Sequence, residues 1–558
     1  MPSKYKALLV GIMALAIFFR FYQIGAMPGG LFPDEAAEGL DAHLIQQGHW
    51  QPFYERGNGR EGLFYFIIAA VITVFGTGSP QLHATAAGIG TAAVLLCFLL
   101  TRELFLVGVQ EREGPALTRA NLMALLATFF MAVSTWHVVL SRTAFRANLI
   151  PLFSALTFYL LLLTYGAKTR KKQLLFALLT GAAFAGGFYT YIAYRILAVV
   201  VAILIAWPLL GSLREQPWYG AIQKYWKHAL LFIVAFAIVV YPLAHYFYYH
   251  PGSFVGRSGQ VSIFNPSLNQ GNLKGTLAEV TKLSLKAYFK DGDLNWRHNI
   301  SGLPFLSPLV SPFFGVGLIG VTILAAAYML APRKRARYWK YALLAGGFWG
   351  LLVPVVTTAE GIPHGLRSIG TIPFVFIISA WGLYKVIELI DWIIHNRHFE
   401  TRGWRRALIY YALRVAAVCF VAALATQAYF LYFVYAANSP ENFYAFRSDL
   451  TVVSDYLNAH GDKANTYLVL DKFSVQTPEF LTTLDPRHPD NPRNQPYIQV
   501  DPEDSWKLAN LKAGDQIVFT ESSLFDARKF KQYHPEAYLA REDRNQFNQT
   551  VMAIYNIH

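Results

Sequence analysis

Charge is the first thing this chain lacks. Of its 558 residues only 15% are Asp, Glu, Lys or Arg, where a soluble protein carries about 25%. So few charges cannot cover the water-facing surface of a chain this long. A string of soluble domains is therefore excluded, and a bilayer removes the requirement. Cysteine is nearly absent as well. Cys97 and Cys419 both lie in apolar runs, so a disulfide scaffold and a cysteine metal cluster are excluded. A hydrophobic share of 54% excludes intrinsic disorder. The chain has no HExxH, P-loop, GxSxG or CxxC pattern, so the usual signatures of zinc hydrolases, nucleotide-phosphate cradles, serine hydrolases and thiol redox enzymes are missing. It shows no internal repeat.

What is there in quantity is long apolar runs. They fall near residues 7–25, 82–101, 121–140, 147–166, 173–190, 193–211, 229–249, 309–331, 340–357, 370–392 and 407–434. Each approaches the roughly 20 residues that a helix needs to cross about 30 Å of hydrocarbon. A twelfth run, 62–77, is shorter and flanked by glycine. The first run starts with Lys4 and Lys6, holds Arg20 and has no small-residue cleavage site, so it reads as a retained helix.

The net charge of +14 is unevenly spread. Residues from Glu441 onward hold 12 basic and 17 acidic side chains. The basic excess therefore belongs to the hydrophobic part. That placement fits the positive-inside rule and contact with anionic membrane lipid, not nucleic acid. Basic clusters at Lys168–Lys172, Arg214–Lys227, Arg333–Lys340 and Arg397–Arg406 place those loops and the N-terminus in the cytoplasm. The loop 102–120 must then be cytoplasmic too. This leaves eleven spans, with 62–77 as an interfacial or re-entrant helix; the alternative is a twelfth span. The expectation is a polytopic α-helical membrane domain over 1–439, with long outer loops at 26–81 and 250–308, in the cell membrane.

The tail 440–558 reads as a small soluble α/β domain on the outer face. Phe446–Ala459 has an amphipathic helical pattern, while Tyr467–Leu470, Gln516–Phe519 and Val551–Tyr555 read as short strands. The Pro/Asn/Asp-rich stretch 485–504 reads as loop.

Four constellations carry chemistry. The first follows the first span: Pro33-Asp34-Glu35-Ala36-Ala37-Glu38-Gly39-Leu40-Asp41. On a helix Asp34 and Glu38 share a face, with Asp41 one turn on. The plain alternative is capping, with Asp34 as N-cap. The second is Arg60-Glu61 just before the short apolar run. The third is arginine at outer span ends, where the positive-inside rule makes cations scarce: Arg142 and Arg146, Arg195 after Tyr191 and Tyr194, and Arg367. Snorkelling explains one such residue. Several on one side suggest an anion, since guanidinium binds phosphate through paired, charge-assisted bonds. The fourth is Glu360-Gly361-Ile362-Pro363-His364-Gly365-Leu366-Arg367 in a short outer turn. The 250–308 loop adds Arg297-His298-Asn299.

In order and sidedness these strings resemble the GT-C class of membrane glycosyltransferases, most of all glycosyltransferase family 39. That family includes the protein O-mannosyltransferases and has the lipid A aminoarabinose transferase as a near relative. The resemblance spans residues 1–435. It implies a polyprenyl-phosphate-linked sugar as donor and a lipid, glycan or protein acceptor on the outer face. It makes Asp34 the catalytic base, with Glu35 and Glu61 as motif acids. Arg142, Arg146, Arg195, His364 and Arg367 would bind the donor phosphate. Glu38, Tyr191, Tyr194, Arg297, His298, Asn299 and Glu360 would line the substrate site. Two departures are visible. Arg60-Glu61-Gly62 stands where many bacterial members have Lys-Pro-Pro, and Arg146 and Asn148 stand near a position often held by Asp. A divalent metal stays open as a cofactor although no ligand motif supports one, and no other cofactor is implied.

A base at the acceptor hydroxyl and cations at the departing phosphate are what glycosyl transfer requires. One base and one leaving phosphate imply a single displacement with inversion. An O-antigen ligase or polymerase would use similar outer arginines. A transporter predicts ionisable groups deep inside spans and repeated halves.

Overall fold

The computed structural model describes residues 2–109, 113–212, 218–330, 335–396, 403–460, 465–482 and 495–558. The basic positions Arg214, Arg333, Lys334, Arg397 and Arg402 lie outside them.

Every apolar run coincides with helix. Among the described residues, eight helices are long and apolar enough to cross a membrane by length and composition. The other three of the eleven runs are Ser3–Phe21 and Arg170–Gly187, which each carry three cations near their ends, and the shorter Ile192–Leu204. Two of the eight, Tyr225–Tyr249 and Ala407–Asn438, have only 11% and 6% of their apolar length covered by protein. A helix apolar all round with its surface uncovered is suited to lipid.

The run 121–140 does not form one helix. It breaks after Ala132, and a second helix, Thr135–Arg142, starts where the Ser134 side chain accepts the His137 N–H. That break turns Ser141 and Arg142 inward. The short run forms the helix Leu63–Phe75, about 20 Å long at 1.5 Å per residue and thus too short to span by itself.

Helices approach closely at glycine. A side chain at Gly181 would strike the backbone of Phe232, and one at Gly317 that of Ile378. Small residues at such crossings let helix backbones meet where lipid provides no hydrophobic drive.

The segment after the first helix folds into three pieces. The helix Pro33–Gln46 begins with proline at its first turn, where a missing N–H costs nothing. A two-stranded hairpin follows, β1 (Phe53–Tyr54) and β2 (Arg60–Glu61), antiparallel with Phe53 opposite Glu61. Its turn uses Gly57 and Gly59 at φ 60° and 86°, where a side chain would be strained. Leu63–Phe75 completes the unit. Leu31, Ala36, Leu40, Phe64, Tyr65, Ile68, Leu82 and Leu149 form one buried cluster around it.

The C-terminal region builds a five-stranded sheet: β3 (Thr466–Val469), β4 (Ile498–Val500), β5 (Gln516–Thr520), β6 (Ala537–Arg544) and β7 (Thr550–Ile557), in the order β4-β3-β5-β7-β6. β3 is parallel to β4 and β5, and β7 is antiparallel to both its neighbours. The expected strands and the helix Ser448–His460 are present. The stretch 485–504 is not all loop. Its described part holds β4 and a 3-10 turn, Pro502–Lys507, while residues 485–494 lie outside the description. β6 escapes the sequence pattern because most of its side chains are exposed.

The sheet region is bolted onto the first loop. The Thr477 hydroxyl donates to the Leu31 carbonyl at 2.9 Å, and the Phe32 and Phe473 rings meet edge-on at 5.7 Å. Phe480, fully buried, enters the cluster around Pro33–Gln46. Its ring lies against the bare backbone of Gly39, where any side chain would collide. Phe480→Ala is expected to cost about 3–5 kcal/mol, as large-to-small core changes do. The readout is a lowered unfolding temperature of the detergent-purified protein, with early proteolysis of the C-terminal region.

Candidate active site

The helix Pro33–Gln46 carries four acids, and three of them are buried. Its N-cap is Phe32, with no side-chain cap. Asp34 is thus a first-turn residue and not the cap, because Pro33 takes the first helical position. The Asp34 side chain is 37% exposed, whereas Glu35, Glu38 and Glu61 are 0%, 1% and 3% exposed. Asp34 is therefore the carboxylate of this group that an outside molecule can reach.

Each acid has a distinct partner. Arg60 donates to Asp34 Oδ1 at 2.7 Å and to its carbonyl at 3.1 Å. Glu35 Oε2 accepts the Ala144 N–H at 2.7 Å and faces His83 Nε2 at 3.1 Å. Asp41 accepts from Arg56 at 2.8 Å. Successive strand residues point to opposite sides, so Arg60 turns to Asp34 while Glu61 turns away. Glu61 meets Arg146 and Arg195, each at 3.3 Å. Arg146 also approaches Glu38 at 3.8 Å and lies over the Tyr191 ring at 5.0 Å. These pairs are longer than the 2.7–2.9 Å of a tight charge-assisted bond.

Burial pushes the Glu38 carboxyl up to about 8; Arg60 and Arg146 oppose that shift, and Asp34 and Glu35 add to it. Glu38 thus holds a proton at neutral pH. The guanidinium groups of Arg60, Arg146, Arg195 and Arg297 stand among the carboxylates of Asp34, Glu35, Asp41, Glu61 and Asp293. The Arg297 guanidinium lies 3.4 Å from the Phe32 ring centre. Burial lowers its pKa, and the charges of Asp34, Glu35 and Asp293 oppose the shift. Glu35 Oε1, Glu38 Oε2 and the Tyr65 hydroxyl are buried without a hydrogen-bond partner. Unsatisfied buried polar atoms are rare in folded proteins and call for an explanation; a polar ligand supplies one.

The structure separates residues that look equivalent in sequence. Arg142 ends the helix Thr135–Arg142, and Arg146 opens a 3-10 turn after an extended Thr143. They do not share a helix face. Arg142 is fully buried and donates to the carbonyls of Phe19, Tyr22 and Met27 and to the Tyr432 hydroxyl. It staples the bundle and does not face the acids. Arg195 joins the site but also donates to the Phe254 carbonyl at 2.7 Å. Tyr194 is buried in the bundle against Thr157, away from the acids. Asn299 bonds the Leu303 carbonyl at 2.5 Å and shapes its own loop.

Arg367, Glu360, His298 and His364 form an adjoining cluster. Arg367 donates to the Glu360 side chain at 3.0 Å and to its carbonyl. His298 faces Asp293 at 3.0 Å and stacks on His364, ring centres 4.6 Å apart. Burial lowers the His298 pKa, and Asp293 opposes that shift. The cluster touches the acid site through Phe145, whose ring is 6.0 Å from His298, and through the Thr143 hydroxyl on the Arg297 carbonyl at 3.4 Å. Sequence reasoning missed His83, Asp293 and Arg60's role. His83 meets its partner 48 positions away; Asp293 meets Asn295 and His298 nearby but is tied to the second loop only through Gly365, 72 positions away.

ArnT from Cupriavidus metallidurans, in its undecaprenyl phosphate-bound crystal structure, matches over 98% of both chains with a TM-score of 0.56 at 12% identity. The apo form of the same protein matches with a TM-score of 0.53, again at 12% identity, over 99% of this chain and 98% of that one. An oligosaccharyltransferase from Archaeoglobus fulgidus, with a tethered acceptor peptide, matches with a TM-score of 0.51 at 11% identity, over 98% of this chain and 74% of that one. The chain has the GT-C fold. The family model for dolichyl-phosphate-mannose-protein mannosyltransferases matches residues 113–254 of this GT-C chain, a stretch that includes Arg142, Arg146 and Arg195. No curated protein matches it in sequence. It is a multi-pass membrane protein, as its fold and its apolar helices show.

Two expectations test the electrostatics. Between the ordinary 4.5 of glutamate and about 8, the native state holds a proton on Glu38 that the unfolded chain lacks. Stability therefore falls as pH rises through that window. Glu38→Gln should flatten this slope in thermal unfolding measured across it. Arg142→Met leaves buried carbonyls without donors, each worth about 1–3 kcal/mol. It should lower the unfolding temperature strongly, whereas Arg146→Met, which leaves Arg195 on the buried Glu61, should lower it less.

Proposed function

We propose that this GT-C chain is a glycosyltransferase that moves a sugar from a polyprenyl-phosphate carrier to an acceptor hydroxyl, amine or amide at the outer membrane face. The observation that carries this reading is one exposed carboxylate, Asp34, set one helical turn from the buried Glu38 and beside Arg60, with Arg146 and Arg195 on the neighbouring Glu61. The undecaprenyl phosphate in the ArnT structure and the peptide on the oligosaccharyltransferase support the donor and acceptor classes. The mannosyltransferase family match over 113–254 points the same way.

Each residue has a step. Arg60 holds Asp34 Oδ1, leaving Oδ2 to receive the acceptor proton. The acceptor atom then attacks the anomeric carbon from the face opposite the phosphate. The bond from that carbon to the phosphate oxygen breaks, and the carrier phosphate leaves with an added negative charge. Arg146 and Arg195 sit on Glu61 at distances long enough to exchange that carboxylate for phosphate oxygens. Their charge is greatest in effect in the transition state, when the leaving group gains charge. Neutral Glu38, unlike a carboxylate, does not repel the phosphate and has a proton to donate. The displacement is single and inverting.

The loops carrying Asp34 and Arg146 lie at one end of the bundle, next to the sheet region. The positive-inside pattern of the sequence supports placing this end on the outer side. The lipid chain of the donor then stays in the bilayer while its sugar reaches Asp34.

Transfer from a radiolabelled polyprenyl-phosphate sugar by the purified protein in lipid nanodiscs tests the reading. Asp34→Asn is expected to lose at least ~100-fold in rate, the usual contribution of a general base, with donor binding retained. Full activity in that variant sinks the assignment of the base.

A further inference from the structure

Outside the proposed transfer chemistry, one cluster remains unexplained. Asp293, His298 and His364 each offer a ligand atom, and the three atoms lie within 4.8 Å of one another. Asp293 and His298 are buried and His364 is half-buried. They come from two loops, one after the helix Leu273–Lys286 and one before Ile372–Asn396. Chain proximity does not explain their meeting.

We propose that Asp293, His298 and His364 form a divalent metal site of the zinc type, with one coordination position left open. The donor set argues for that class. Two imidazoles and one carboxylate suit zinc or a similar first-row ion, whereas magnesium and calcium take oxygen donors. The spacing agrees. Ligands about 2.0–2.1 Å from a tetrahedral centre stand about 3.3 Å from one another. Here Asp293 Oδ2 is 3.0 Å from His298 Nδ1 and 3.8 Å from His364 Nδ1. The two imidazole ligand atoms stand within 4.8 Å of each other, so the histidine rings draw together when they close on an ion.

The surrounding bonds hold the carboxylate in place. Asp293 Oδ1 accepts the Asn295 N–H at 2.8 Å, and Oδ2 accepts the Gly365 N–H at 2.7 Å. Hydrogen bonds to a ligating carboxylate orient it and raise metal affinity. The two nearby cations are turned to other partners. Arg297 lies on the Phe32 ring and Arg367 on Glu360, so neither guanidinium occupies the space between the three ligands.

The ion would cross-link the two loops at the residue next to Arg297. Its effect on the active site would run through Arg297 and Phe145. His298 and His364 are then positioning residues. This inference does not depend on the transferase reading, because the ligand count is testable without activity.

The test uses the full-length protein in detergent, stripped with chelator, dialysed against zinc chloride and measured by elemental analysis. Cobalt substitution reads the geometry from its visible absorption. We expect one zinc per chain, a tetrahedral cobalt spectrum and no displacement by excess magnesium. His364→Ala keeps the Asp293–His298 hydrogen bond, and so the fold, and should lose the bound ion. Asp293→Asn, which tests the carboxylate, should weaken binding by ~10-fold or more. A protein that stays metal-free in zinc overturns the proposal. So does equal zinc binding by wild type and His364→Ala, which marks the ion as adventitious. So does displacement of the ion by magnesium.

Discussion

A buried carboxylate holds the working end of this molecule together. Glu35 accepts from the backbone of Ala144 and faces His83, fully removed from water. Those two partners belong to the turn 143–148 and to the helix Ser79–Leu106. One side chain thus fixes the site helix, the arginine turn and a bundle helix at a single point. Asp34 and Glu38 take their positions from that anchor, because they sit on the same helix. Arg146 takes its position from it as well, two residues beyond Ala144. Losing one partner of such a buried group is costly, since the other is left unpaired in a low dielectric.

The consequence is a division of labour among like residues. Glu35 is structural and Asp34 is reachable, although they are neighbours in sequence. Arg142 is structural and Arg146 faces the pocket, although they are four apart. In each pair the inner member fixes the outer one. The buried staples Arg142 and Arg20 bond mostly to backbone carbonyls. Arg146 and Arg195 meet Glu61 at 3.3 Å each, which leaves that pairing able to exchange.

Much of the fold was legible because its drive is local. Apolar runs of span length became helices, and alternating runs became β3, β5 and β7. The short Gly-flanked run stayed short. The first-loop acids and the outer arginines stood out because each broke a compositional rule. What was not legible depends on contacts between distant segments. The break at Val133–Ser134 follows from a single cap, the Ser134 hydroxyl on the His137 N–H, inside an otherwise continuous apolar pattern. The inward turn of Arg142 needs carbonyls from residues 19, 22 and 27. Asp293 looks like any loop acid until His298, His364 and the Gly365 N–H surround it. Asp34 reads as an N-cap until Pro33 is seen to occupy the first helical turn.

The ring of Phe480 and the Thr477–Leu31 bond give the chain a temporal order. The site helix is among the first parts made, and its cover lies 446 residues later. The intervening bundle is synthesised before that cover. Until residues 477–480 dock, the helix Pro33–Gln46 lacks the contacts on that flank. A bundle without the sheet region carries the charged helix but lacks one wall.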